Sequence, residues 1–333
     1  MNITFFCRVN KTALSVVEFY KQDIEILKEL GYSVSIATKW SEINYRKSDL
    51  IFIWWWTYAI IPVLIAKIFR KKTTITGTFN YRCPYAENDY FRRSWIQRLA
   101  IKMSTKMTDA NILVSKYEYQ SISDEWSLKN LYYSPHCIDI EKYQYNSTRR
   151  KNLLFLMCWT EAPNLRRKCL PEVIDAIQIL KNKSISVQLI IAGRKGNGYQ
   201  MIRELIKERE LGDFISLIGE ISERDKIKWM QECTIYLQPS KYEGFGLAMA
   251  EAMSCGAPVI TTDAGEVRQV VEDAGVILSD CEPKELADAI DNLLQKPNYR
   301  EDIGKKARNK IEKDFPKSRR RNELKNIIGR YQK

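Results

Sequence analysis

The sequence predicts an α/β protein made of two doubly wound domains. Three observations carry that expectation. Residues 2–37 read as strand, helix, strand; residues 235–262 repeat the alternation around a loop with two glycines; and 333 residues are enough for two cores of ordinary size. Short apolar runs that alternate with helical periodicity belong to parallel sheets covered on both faces.

Residues 2–7 suit a buried strand, 14–30 carry a helical pattern that Gly31 stops, and 34–37 are strand-like again. The first loop, RVNK at 8–11, has no glycine. A G-x-G-x-x-G dinucleotide fingerprint is therefore absent there, which argues against an oxidoreductase. Arg8 and Lys11 in this loop are either solvated charges or contacts for an anionic acceptor. Residues 50–66 (LIFIWWWTYAIIPVLIA) run 17 positions without a charge, at the lower edge of what spans a bilayer. The globular reading divides them into a buried strand at 50–54 and a helix around Pro62. A softer variant rests 60–69, followed by Arg70-Lys71-Lys72, on a membrane surface. Strands follow at 73–78 and 110–115, with 81–106 between them rich in aromatic and basic residues that face solvent, lipid or an acceptor. The polar stretch 141–151 is the natural linker.

The second half opens with a strand at 152–157. PNLRRK at 163–168 then precedes a helix with apolar positions at Val173, Ile174, Ile177 and Leu180. A strand at 187–192 ends in GRKGNG, glycines of phosphate-loop character whose spacing fits neither a P-loop nor a dinucleotide site. Residues 215–219 are a strand, 282–294 an amphipathic helix and 315–331 a last helix.

Composition bounds the function. With 45% hydrophobic and 28% charged residues the chain is globular rather than disordered. Of its net charge of +12, residues 1–150 carry +8, so the first half is the side expected to meet an anionic partner such as an anionic membrane or an acidic or lipid-linked glycan. No nucleic-acid motif is present, and no nucleic-acid partner is expected. The eight cysteines are scattered without a C-x2-C pair, and there is one histidine. They read as reduced core residues of a cytoplasmic protein, with no zinc site. The start MNITFFCRVN lacks the charged head and long apolar core of a secretory signal.

The chain is organised around residues 240–260, SKYEGFGLAMAEAMSCGAPVI. An apolar run at 235–237 leads into the loop, good helix formers fill 247–253, Gly256 fits the position past a helix end, Pro258 forbids continuation, and 259–262 is the next strand. A glycine loop that opens a helix is a ready anion site, because open backbone N–H groups and the helix dipole point at it. Glu243 and Glu251 bracket the helix start. At 1.5 Å rise per residue they lie roughly 12 Å apart, too far to share a proton or a metal but suited to two ends of one elongated ligand. Spacing alone leaves solvated carboxylates as an equal alternative.

Glu243 and Glu251, within EGFGLAMAEAMSCGAPVI, resemble the E-x7-E signature of retaining glycosyltransferases of family 4. The resemblance covers 151–333 well and 1–150 in outline. It implies the GT-B fold: two Rossmann-like doubly wound domains facing a cleft, an acceptor-binding domain at 1–148, a nucleotide-sugar domain at 149–314 and a crossover helix at 315–333. It implies that Glu243 contacts the donor sugar, that Glu251 holds the ribose, and that the backbone of Gly244, Phe245, Gly246 and Leu247 meets the diphosphate or sugar. PNLRRK resembles the family's R-K-G loop, which assigns Lys168 and Arg167, with Arg166 a close rival, to the leaving diphosphate. Cys169 stands where glycine is usual and Thr160 where many members have arginine. GEI at 219–221 resembles the turn that brackets the base, which gives Ile221 a donor contact. SPHCID at 134–139 resembles a structural turn, so a structural role is expected for the lone His136. Near the end of strand 73–78, where many relatives have a histidine, this chain has none. DAGE at 263–266 takes the place of a double-glycine turn.

The implied activity is metal-independent transfer of a sugar from a nucleotide diphosphate sugar to a hydroxyl on a glycan or lipid-linked acceptor, in bacterial surface polysaccharide or lipopolysaccharide synthesis. No cofactor and no metal is expected. The alternatives are a non-catalytic subunit of a glycosylation complex and a sugar-nucleotide epimerase.

Overall fold

A computed structural model describes residues 1–83, 88–148 and 151–331; parts of the expected linker (149–150) and of the basic aromatic stretch (84–87) lie outside the described residues. The chain divides into two compact units, 1–137 with 317–333, and 138–316.

The first unit holds a parallel sheet of β1 (Asn2–Phe6), β2 (Ser33–Ala37), β3 (Leu50–Trp54), β4 (Lys72–Gly77), β5 (Ala110–Leu113) and β6 (Leu131–Tyr133), in the order β2-β1-β3-β4-β5-β6. Every residue of β3 is buried, as an interior strand covered on both faces requires. Helices α1 (Lys11–Val16), α2 (Glu18–Glu29), α3 (Ile60–Ile68), α4 (Trp95–Met107) and α5 (Lys116–Trp126) connect the strands. The 17 uncharged residues thus divide into β3 and α3, and among the described residues no helix is long and apolar enough to cross a membrane. The helix expected over 14–30 is two helices. Val17 is extended at φ −82°, ψ 114°, where adjacent β-branched Val16 and Val17 weaken helix continuation. His136 is buried against Phe19 and Trp54, with ring centroids 5.6 and 6.1 Å away. Burial, with Arg320 nearby, keeps it neutral well below its usual range, as a packing residue would be.

The second unit repeats the design with β7 (Leu153–Met157), β8 (Gln188–Ala192), β9 (Ile215–Gly219), β10 (Ile235–Gln238), β11 (Val259–Thr262) and β12 (Val276–Leu278), in the order β12-β11-β10-β7-β8-β9, all parallel. Its helices are α6 (Ala162–Arg167), α7 (Leu170–Asn182), α8 (Tyr199–Glu208), α9 (Glu223–Glu232), α10 (Leu247–Ser254), α11 (Val267–Val271), α12 (Pro283–Gln295) and α13 (Pro297–Asp314). The last helix, α14 (Lys317–Gly329), belongs to the first unit. There Arg320 is fully buried and clamps Asp23 of α2 through two hydrogen bonds, Nε to Oδ1 at 2.6 Å and Nη2 to Oδ2 at 2.8 Å, and donates to the carbonyl of Ser134 at 2.7 Å.

The unit boundaries differ from the expected 148 and 314. Residues 138–148 belong to the second unit because Ile138 and Tyr143 sit in its core, and the Tyr143 carbonyl accepts from Ser254 Oγ at 2.8 Å and Arg308 Nη1 at 2.7 Å.

Candidate active site

In the second sheet the strand order reverses between β10 and β7. Open α/β sheets bind ligands outside the carboxyl ends of strands at such a reversal. Here the loops leaving those two strands are 158–169 and 239–246, the two stretches that the sequence singles out.

Glu243 is the hub where they meet. Its Oε1 accepts from Lys168 Nζ at 2.5 Å, Arg167 Nη1 at 3.1 Å and Ser240 Oγ at 2.9 Å. Burial alone would raise this carboxyl, but Lys168 and then Arg167 outweigh it and hold its pKa at about 2. Arg167 is oriented by Asn164, whose Oδ1 accepts from Nε and Nη2 at 3.3 and 3.1 Å, and it also donates to the Tyr242 carbonyl at 2.9 Å. The Lys241 N–H donates to the Arg167 carbonyl at 2.8 Å, so the two loops are joined by backbone as well as by charge. Arg166 is exposed and outside this cluster, while Arg167 is in it. Two cations on one carboxylate leave the trio with a net positive charge.

The basic stretch forms a helix of its own, α6, rather than a loop before α7. Arg167 ends α6 and Lys168 is its C-cap, a position that the helix dipole favours for cations. An anion is therefore not needed to explain basic residues there; the excess of charge at Glu243 is what calls for one.

Gly246 opens α10 with φ 82°, and no side chain caps the helix. The first N–H groups of α10 are thus free of a side-chain cap, as an anion site requires. A Cβ at Gly246 would lie 3.1 Å from Gln238 Nε2, and this nitrogen is itself buried without a hydrogen-bond partner. Gly244 is partly exposed. Phe245 is buried against Phe315, ring centroids 5.3 Å apart, and Leu247 packs on the same core. Packing thus takes up the Phe245 side chain, while Leu247 is only partly buried. Ile221 follows β9 and is half-buried against that core.

Among the described residues Glu251 shares no hydrogen-bond or ion-pair partner with Glu243. Buried on α10, it accepts from Lys226 Nζ of α9 at 2.9 Å, and Lys226 also reaches Glu223 at 3.0 Å, whose Oε1 takes the Tyr143 hydroxyl at 2.5 Å. Burial pushes the Glu251 carboxyl up, against the pull of Lys226.

Sequence reasoning missed four supporting residues: Ser240, Asn164, Gln238 and Gly265. Gly265 has φ 65°, and a Cβ there would lie 2.2 Å from the Glu243 carbonyl oxygen, which accepts from the Glu266 N–H at 3.0 Å. The glycine was legible as a turn, but its contact with Glu243 depends on folding. Gly265→Ala is expected to cost on the order of 1–3 kcal/mol from backbone strain alone. By moving Glu243 it should also lower turnover by about 10²-fold. Kinetics beside Gly212→Ala, at a position with open space around it, check this; equal turnover in the two variants would contradict it.

Two expectations are corrected. The GRKGNG glycines serve packing: a Cβ at Gly193 would lie 2.1 Å from the Cys158 carbonyl oxygen, and one at Gly198 would lie 2.4 Å from Leu165 Cδ1. Thr160 braces this loop, its Oγ1 accepting from the Gly196 N–H at 3.0 Å. The cysteines are not all reduced, since Cys169 and Cys281 form a disulfide across 112 residues, a pairing that no sequence spacing announces. It fastens the residue after Lys168 to the segment before α12; the other six cysteines are buried and lie outside this disulfide.

Residues 164–310 match the family described as glycosyl transferases group 1. The chain is 29% identical over 136 residues to O-antigen chain mannosyltransferase B of Escherichia coli, covering 40% of this chain and 36% of that protein. It is 22% identical over 295 residues to O-antigen chain mannosyltransferase RfbU of Salmonella typhimurium, 84% of this chain and 81% of the relative. With D-inositol 3-phosphate glycosyltransferase of Frankia alni it shares 28% identity over 116 residues, 33% and 28% of the two chains. The chain thus spans well under half the length of the first and third of these. Among solved structures, Anabaena Alr3699/HepE in complex with UDP superimposes with a TM-score of 0.81 at 16% identity, covering 99% of this chain and 100% of the other. WaaG, a glycosyltransferase involved in lipopolysaccharide biosynthesis, gives 0.73 at 13% identity, covering 98% and 100%. The fold is GT-B, and residues 164–310 are similar to the group 1 glycosyl transferases.

Proposed function

We propose that the chain transfers a sugar, with retention and without a metal, from a nucleotide diphosphate sugar to a hydroxyl of a glycan or lipid-linked acceptor in bacterial surface polysaccharide synthesis. The observation that carries this is the buried Glu243 with two cations on it, three residues before the uncapped start of α10. As the bond to the anomeric carbon breaks, positive charge grows on the sugar and negative charge on the diphosphate. Lys168, Arg167 and the open N–H groups of α10 supply the complementary positive charge, already oriented. Glu243 keeps the two cations in place and offers its carboxylate to the sugar. Glu251, in this reading, receives the ribose hydroxyls in exchange for part of its contact with Lys226.

HepE is described with UDP-glucose, so uridine nucleotides come first in the test. A thermal-shift screen of UDP, GDP, ADP and their sugars should find one base that stabilises the chain. Ligand at 100 times its Kd adds about 2.7 kcal/mol, and Glu251→Ala should abolish most of that gain. No shift with any nucleotide would contradict the reading.

We also propose that the first unit rests on the cytoplasmic face of an anionic membrane. Helices α3 and α4 flank β4 and pack on one another. Their outer faces expose Ile68 (78%), Trp95 (68%), Ile96 (60%) and Leu99 (50%). Residues 60–72 and 90–107, which carry these side chains, contain nine Lys and Arg and no Asp or Glu. Apolar groups that insert beside cations that meet lipid phosphate are the chemistry of an interfacial surface. Trp95→Ser with Ile96→Ser should weaken flotation with phosphatidylserine vesicles about tenfold or more. Equal flotation of both forms, or no preference for anionic vesicles, would refute the proposal.

A further inference from the structure

The sheet of the first unit also reverses its order, between β1 and β3. Residues following these two strands line a cavity of about 440 Å³, a size suited to a small ligand and placed where open α/β sheets take one.

Its lining carries more than apolar packing. Arg8, just after β1, has its guanidinium 4.8 Å from the centre of the Trp40 ring and 4.6 Å from that of Tyr58. The two aromatic faces fix its position, while among the described residues it makes no ion pair or hydrogen bond. Arg93 lines the same cavity, and its Nε is buried with no partner. Burial lowers the pKa of this guanidinium, against a weaker pull from Tyr58 and Asp89.

The backbone around the cavity is constrained as well. Trp55 holds φ 76° and Asn80 φ 55°, left-handed values for residues with side chains. Such conformations persist only where the surroundings impose them, and they gather at ligand sites. Gly77, at φ 133°, lies beneath the Trp55 ring, and a Cβ there would be 3.0 Å from it. The ring is therefore held in place by a residue that has no side chain to displace it.

We infer that this cavity binds an acceptor through an anionic group, a carboxylate or a phosphate, held by Arg8 and Arg93 with the sugar ring against the Trp55 and Tyr58 side. Calling the ligand an acceptor rests on the sugar-transfer reading; the anion site itself does not. A planar guanidinium fixed between rings and a second one with a buried open donor suit an oxyanion, which takes paired N–H groups. A neutral hexose could accept from the buried Nε through a hydroxyl but would leave the Arg8 guanidinium without a counter-charge.

The test is direct binding to the full chain, read by tryptophan fluorescence because Trp55 and Trp56 line the cavity. The probes are glucuronate, glucose 6-phosphate and glucose. Both anions should bind saturably, glucose at least tenfold more weakly, and the tighter of the two anions identifies the source of the charge. Arg8→Gln, at an exposed position, and Arg93→Gln should each weaken the anions about tenfold while leaving the UDP thermal shift unchanged. Equal binding of glucose and glucuronate, or anion binding unaltered in both variants, overturns the inference. Anion binding that needs both arginines in a chain that transfers no sugar from any donor would keep this site and refute the transfer reading. Transfer to neutral acceptors with kcat/KM unchanged in both variants would refute the anion site alone.

Discussion

Lys168→Ala is expected to lower kcat by about 10²–10³-fold with the fold retained, the usual cost of removing one fixed donor from developing negative charge. Among the described residues its Nζ donates only to Glu243, at 2.5 Å, so the variant leaves that carboxylate with Arg167 and Ser240 as partners. Glu243→Ala should abolish transfer too, but for a mixed reason. It strands Lys168, whose side chain is 11% exposed, beside Arg167 without a counter-charge. Removing one partner of a buried pair typically costs about 3–5 kcal/mol. Glu243→Gln separates the effects: it preserves shape and some hydrogen bonding while removing the charge. Kinetics and thermal melting measured together decide the matter. Undiminished turnover in Lys168→Ala would remove this lysine from the mechanism.

A stability effect as large is expected in the first unit. Asp23→Ala should destabilise the first unit by about 3–5 kcal/mol, because Arg320 is 1% exposed and would keep its charge with no carboxylate opposite. Urea denaturation measures it. Lys317→Ala serves as the control: Lys317 reaches Glu25 and Glu29 at 3.5 and 2.6 Å from a partly exposed position, and a pair of that kind contributes under about 1 kcal/mol. Replacing both buried partners, Asp23→Leu with Arg320→Met, should recover much of the loss, since apolar substitutes of similar volume often equal a buried ion pair. A loss under 1 kcal/mol in Asp23→Ala would mean that the carboxylate is not what balances Arg320.

What the sequence made legible follows from how local each signal is. β3, β9 and β11 lie where apolar runs ended by turn residues put them, because buried parallel strands announce themselves in a few positions. β6 and β12, three residues each, are too short to show a pattern. Helix α13 carries mostly charged residues that blur its apolar stripe. At the site, Glu243, Lys168 and Arg167 could be picked out by a motif, and the structure brings these three together. The contacts that make the cluster work are not local. Gly265 against the Glu243 carbonyl and the Cys169–Cys281 disulfide join segments whose neighbourhood only folding creates. Asp23 shows the same limit, for nothing in its own helix says that it is buried or that its partner lies 297 positions away.

That separation also sets an order of events during synthesis. The second unit, 138–316, is continuous and is complete once α13 has emerged, whereas the first is missing α14 until the ribosome has made residues beyond 316. Until then Asp23 has no Arg320 to meet, and the groove that Leu324, Ile327 and Ile328 will fill stands open. The earlier half of the chain therefore finishes folding last. Its exposed apolar groove is the surface on which a chaperone would act during the interval.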